Sequence, residues 1–137
     1  MAGSFSDHLE QKLLDLVFGA TAYSVPGTLY IALFTVAPSD SGGGTEVTGG
    51  SYARVAVTNN TTNFPNASGT SPTSKGNGTT ITFPTASASW GTVVAFGIFD
   101  ASSSGNLIAW ADLTTSKSIA SGDTASFAAS SLTITLA

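Results

Sequence analysis

A single histidine, His8, is the one side chain here whose unperturbed charge changes near neutral pH. It falls in the first turn of a predicted helix, and no motif sets a serine or cysteine nucleophile beside it. The chain has no Gly-x-Ser-x-Gly elbow and no cysteine. Gly42 to Gly44 is not followed by the Lys-Ser/Thr and helix that a phosphate-cradling loop requires. Asp100, Ser102, Ser104 and Asn106 alternate around Gly105 and loosely suggest an oxygen-rich calcium loop. Such a loop needs several carboxylates and a bidentate glutamate at its end. Here the terminal position falls on Ala111, with Asp112 beside it, and Asp and Ser in such a run ordinarily make a turn by bonding their own backbone. Asp100, Asp112 and Asp123 are the carboxylates that could pair across a glycoside, which requires two acids about 5 to 10 Å apart. Each occupies a turn or strand end where aspartate is ordinary. The expectation is therefore no catalytic residue, no metal ligand and no cofactor. Asn59, Asn60, Asn66 and Asn77 each begin an Asn-x-Ser/Thr triplet, which a chain so rich in Ser and Thr produces by composition.

Aromatic residues offer a second chemistry, stacking on sugar rings. Trp90, at the start of a predicted strand, and Tyr52 are the candidates for an exposed aromatic binding surface. Trp110 lies on an apolar strand and is expected in the core.

The elements that would position these residues begin with a helix over 6–20. Ser6 or Asp7 can cap it, and Asp7 with Glu10 has the capping-box spacing. Leu9, Leu13, Leu16, Val17 and Ala20 recur at helical intervals and share a face. Pro26-Gly27 forbids continuation. Two readings of this stripe stand: it packs on the domain's own sheet, or Leu9, Leu13, Leu16 and Val17 dock on a partner subunit.

From Thr28 the period changes. Leu29 to Val36 is a near-continuous run of β-formers flanked by prolines, which reads as a strand buried on both faces. Ser39 to Gly50 is a glycine-rich loop, and residues 52–58 alternate as a second strand. Residues 59–78 read as a long polar loop. Further strands are expected at 79–83, 90–99, 107–113, 117–120, 125–128 and 132–136, separated by turn signals at 100–106 and 121–123. Many short strands of this spacing predict an antiparallel β-sandwich or jelly-roll-like domain with one N-terminal α-helix. The expected layout is a single domain over 1–137, with an N-terminal helical segment at 1–25 and the β-sandwich at 26–137.

The composition agrees. Hydrophobic residues make up 42% of the 137 and charged residues only 9%, against a typical charged share of about 25%. A helical bundle would need more Glu, Lys and Arg to solvate its outer faces; strands and polar turns do not. The formal net charge is -4. The basic residues Lys12, Arg54, Lys75 and Lys117 are scattered, so neither nucleic acid nor a membrane surface is an expected partner. No apolar run approaches the ~18 residues needed to cross a bilayer, and residues 1–10 do not read as a secretory signal.

The order of motifs resembles a family of small phage and prophage virion proteins usually labelled phage tail-fibre proteins. The matching segments are Leu29-Tyr30-Ile31-Ala32-Leu33-Phe34-Thr35, Pro38-Ser39-Asp40, Tyr52-Ala53-Arg54-Val55, Ile81-Thr82-Phe83-Pro84, Trp90-Gly91-Thr92-Val93, Phe96-Gly97-Ile98-Phe99-Asp100 and Ser121-Gly122-Asp123. The upstream run from Leu9 to Asp15 fits as well. The resemblance implies a component of the particle and brings no catalytic or metal motif. The expected function is a non-enzymatic virion structural protein. It would be either a capsid decoration (cement) subunit or a small tail- or fibre-associated module. Its expected partners are the major capsid protein or tail and baseplate proteins, and a homo-oligomer, such as a trimer, would suit either placement. The alternative is a carbohydrate-binding module of a tail fibre that recognises the host surface through Trp90 and Tyr52.

Overall fold

The computed structural model describes residues 3–136. A short strand β1 (Gly3–Phe5) leads into helix α1 (Asp7–Gly19), followed by β2 (Thr28–Val36), β3 (Thr45–Glu46), β4 (Val55–Thr58), β5 (Thr73–Gly76), β6 (Ile81–Thr82), β7 (Gly91–Phe99), β8 (Leu107–Ile119), β9 (Ser126–Phe127) and β10 (Thr133–Leu136). The mainly β, antiparallel reading with one N-terminal helix holds.

The principal layer is a six-stranded sheet in the order β1-β8-β7-β2-β3, with β4 also paired to β2. β2 and β7 form its centre, with Ile31 opposite Ile98 and Leu33 opposite Phe96. The second layer is two ribbons, β5–β10 and β6–β9. A jelly roll would instead stack two larger sheets. Between the layers lies the main core, in which Ile31, Leu33, Val93, Phe96 and Ile98 of the sheet meet Phe64, Ile81, Phe83 and Leu132. The ring of Phe127 meets Phe96 edge-on, with centroids 5.6 Å apart.

The run Ile31–Phe34 is buried at every residue, as its unbroken apolarity predicts. Ala32, Phe34 and Ala95 form a smaller cluster of their own, packed by Val94 and Phe99. Such burial on both sides is what forbids polar alternation in a central strand.

Several boundaries differ from expectation. The strands foreseen at 107–113 and 117–120 are one strand, β8, whose register against β7 jumps between Ala95↔Asp112 and Val93↔Lys117. The residues between form a bulge, which lets a polar run stay within a strand without facing the core. The segment 59–78 holds β5 and buries Phe64 and Asn77. Asn60 Oδ1 accepts from the backbone N–H of Thr62 and Asn63. Asn77 donates to the carbonyls of Thr79 and Ala128 and accepts from the N–H of Leu132. Asparagine side chains thus do here what strand pairing does elsewhere.

Candidate interaction surface

Helix α1 starts where its cap dictates. Ser6 is the N-cap, its Oγ accepting from the N–H of Leu9 at 3.2 Å. The same hydroxyl donates to the carbonyl of Leu107 in a very short bond, and the Ser6 N–H donates to Ile108 O at 3.0 Å. Ser6 therefore caps the helix and ties it to β8, which explains why a serine is buried there. At the other end Ala20 is left-handed, and the N–H groups of Ala20 and Thr21 both donate to the Asp15 carbonyl. No basic side chain lies in the last turn, so no side-chain charge there offsets the negative end of the helix dipole.

No residue of α1 is fully buried. Of the predicted stripe, Leu9 and Leu13 are half-buried, whereas Leu16 and Val17 are exposed. Packing of the whole stripe on the domain's own sheet is therefore corrected: the helix lies along β8 and β1 and uses only its first two turns. Two apolar residues outside that stripe, Leu14 and Phe18, are exposed as well, Phe18 at 83%. They are four residues apart and so share a face, roughly 150° around the helix from Leu9, Leu13 and Leu16. A helix apolar on two sides asks for two partners. That signal was present in the sequence, in the run Leu13-Leu14 and Leu16-Val17-Phe18.

The expected aromatic surface is also corrected. Trp90 and Tyr52 do meet, edge to face with centroids 5.3 Å apart, but Trp90 lies in the main core and Tyr52 packs against it. Trp90 is only 4% exposed and its Nε1–H donates to the Gly50 carbonyl at 2.9 Å. Tyr52 is half-buried and stacks on Phe83. The glycine-rich turn at 49–50 brings a carbonyl to the indole, so the ring buries without losing its hydrogen bond. Trp110 errs the other way. It is half-buried outside the main core, and its indole donates to Asp40 Oδ1 at 3.0 Å.

Arg54 anchors a network that sequence reasoning missed. Its guanidinium grips the Glu46 carboxylate with two bonds of 2.9 and 2.8 Å. It also donates to the carbonyls of Ala101 and Ser104 and lies 3.7 Å over the Phe99 ring. Glu46 accepts from the Tyr52 hydroxyl in turn. Burial, and then the Glu46 charge, push the Tyr52 hydroxyl well above the usual tyrosine range, against the opposing bond from Leu33 N–H.

Of the three carboxylates that could have done chemistry, Asp112 lies within β8, and Asp100 and Asp123 are engaged in turns. Asp100 accepts from the backbone and side chain of Asn106 at 2.7 and 2.8 Å. Burial works to raise its ionisation range, but these bonds outweigh it and hold the carboxyl below the usual value. Asp123 accepts from Ala120 N–H. His8 meets Tyr23 edge-on with centroids 6.5 Å apart. Among the described residues no group of three or more His, Asp or Glu is placed to hold a metal ion.

A second surface feature lies at the far end of β8. A groove of about 710 Å³ opens between the β8 bulge and the β9 ribbon. Its lining mixes the apolar Leu33, Val93, Leu113, Ile119 and Phe127 with Lys117, Asp123 and several Ser and Thr side chains. No helix among the described residues is long and apolar enough to cross a membrane.

Comparison with curated proteins gives no match. The family model described as podophage GP4 fiber I protein gp80 matches residues 4–135, from β1 through to β10. The tail-fibre resemblance read from the motifs is thereby met. With the match running nearly end to end, the chain belongs to the podophage GP4 fiber I protein gp80 family and is a structural protein of the phage virion.

Proposed function

We propose that this protein is a non-enzymatic module of a phage tail fibre that fastens to a neighbouring virion protein through helix α1. The exposed face of Leu14, Val17 and Phe18 carries this reading. Isolated apolar residues on a surface are ordinary, but a run of them on one short helix is what an interface looks like before its partner arrives. The fibre placement is supported by the family's description. The low charge supports attachment too, because few ions must be desolvated when such a surface is covered. The glycan-binding alternative loses the support of Trp90, whose ring is buried, and Tyr52 is half-buried with its ring stacked on Phe83.

The test is localisation in purified particles by cryo-electron microscopy, with the Leu14→Asp/Phe18→Asp variant alongside. Density at the tail for the native chain, lost in the variant, supports the proposal. Density on the capsid lattice overturns it in favour of a decoration subunit. Point substitutions are the better tool here. Deleting residues 1–20 would also remove β1, which pairs with β8 from Ala109 to Ala111, and would confuse folding with docking.

A further inference from the structure

We draw no further inference here: the strongest candidate, the groove between the β8 bulge and the β9 ribbon, has no charge preference with Lys117 and Asp123 both in its lining, and nothing in the structure shows what fills it.

Discussion

The hydroxyl of Tyr52 takes the place of a missing strand at Leu33. β3 pairs with β2 at Phe34 and Val36, and β4 pairs with it from Thr28 to Ile31. The break between them falls at Ala32 and Leu33. There the Leu33 carbonyl is met by the Val47 N–H at 3.0 Å, and the Leu33 N–H donates to the Tyr52 hydroxyl at 3.0 Å. The hydroxyl in turn donates a hydrogen bond to Glu46 at 2.8 Å. One phenol thus completes a sheet edge and links it to the Glu46–Arg54 pair.

Tyr52→Phe keeps the ring against Trp90 and Phe83 and removes only the oxygen. The Leu33 N–H then has no partner at the break, and Glu46 loses a donor. The expected cost is about 1 to 3 kcal/mol, read from the midpoint of urea unfolding. A loss too small to measure would mean that water replaces the phenol at this edge.

The same residue sets an alkaline limit. Burial and the Glu46 charge raise the folded-state ionisation of Tyr52 above its unfolded value. Below that unfolded value, about 10, the tyrosine is protonated in both states and its contribution is intact. Above it the unfolded chain releases the proton and the folded one does not, so stability falls as pH rises. Unfolding midpoints measured from pH 9 upward, a range of about one unit either side of the unfolded value, should drop for the native chain. They should drop less steeply for Tyr52→Phe. Parallel profiles would remove Tyr52 as the cause.

Arg54→Lys tests whether geometry or charge matters at the buried ion pair. The Arg54 side chain is 7% exposed and uses Nε and both terminal nitrogens. A lysine keeps the charge but cannot grip Glu46 twice, cap two loop carbonyls and lie flat on Phe99 together. A loss of about 2 to 4 kcal/mol is expected, with faster amide hydrogen exchange in the loop 101–104 that Arg54 ties down. Unchanged exchange there would show that the hairpin holds its own shape.

The two tryptophans should separate cleanly. Trp90→Ala empties a core site and frees the Gly50 carbonyl, costing about 3 to 5 kcal/mol. Trp110→Ala removes a half-buried ring and one bond to Asp40, and about 1 to 3 kcal/mol is expected. Iodide should quench Trp110 fluorescence more readily than that of Trp90. Equal costs and equal quenching would contradict the burial seen here.

These two residues also show where the sequence stops being informative. Trp110 alternates with Ala109 and Ala111, and the strand pattern places it on one face without saying which face is covered. Only the pairing of β8 with β1 and β7, set by contacts far apart in the chain, decides that. Trp90 reads as a strand start open to solvent, and its burial depends on a glycine turn forty residues earlier in the chain. By contrast Ile31 to Phe34, the Ser6 cap and the β7–β8 hairpin turn were legible, because each rests on local spacing or residue type. The exposed face of α1 was half legible. Leu16 and Val17 were in the stripe, but a single-stripe reading passes over Leu14 and Phe18.

Gly97 is a point of close approach on the second face of the sheet. It pairs with Ala32, and a β-carbon built there would lie 2.9 Å from Phe34 Cε2, 3.1 Å from Leu107 Cδ1 and 3.2 Å from Phe99 Cε2. The Phe34 and Phe99 rings stack above it with centroids 6.2 Å apart, and Arg54 closes over Phe99. Gly97→Ala must therefore displace the ends of three packed side chains, and a net loss of about 1 to 3 kcal/mol is expected from overpacking. This exceeds what alanine gains in backbone entropy, roughly 0.5 to 1 kcal/mol. Phe34→Leu withdraws the nearest ring atom, so in the Gly97→Ala/Phe34→Leu double variant the two losses should sum to less than their separate values. A coupling of about 0.5 kcal/mol or more in the double-mutant cycle is the expected reading. Strict additivity would place the strain of Gly97→Ala against Leu107 or the backbone instead of the stacked rings.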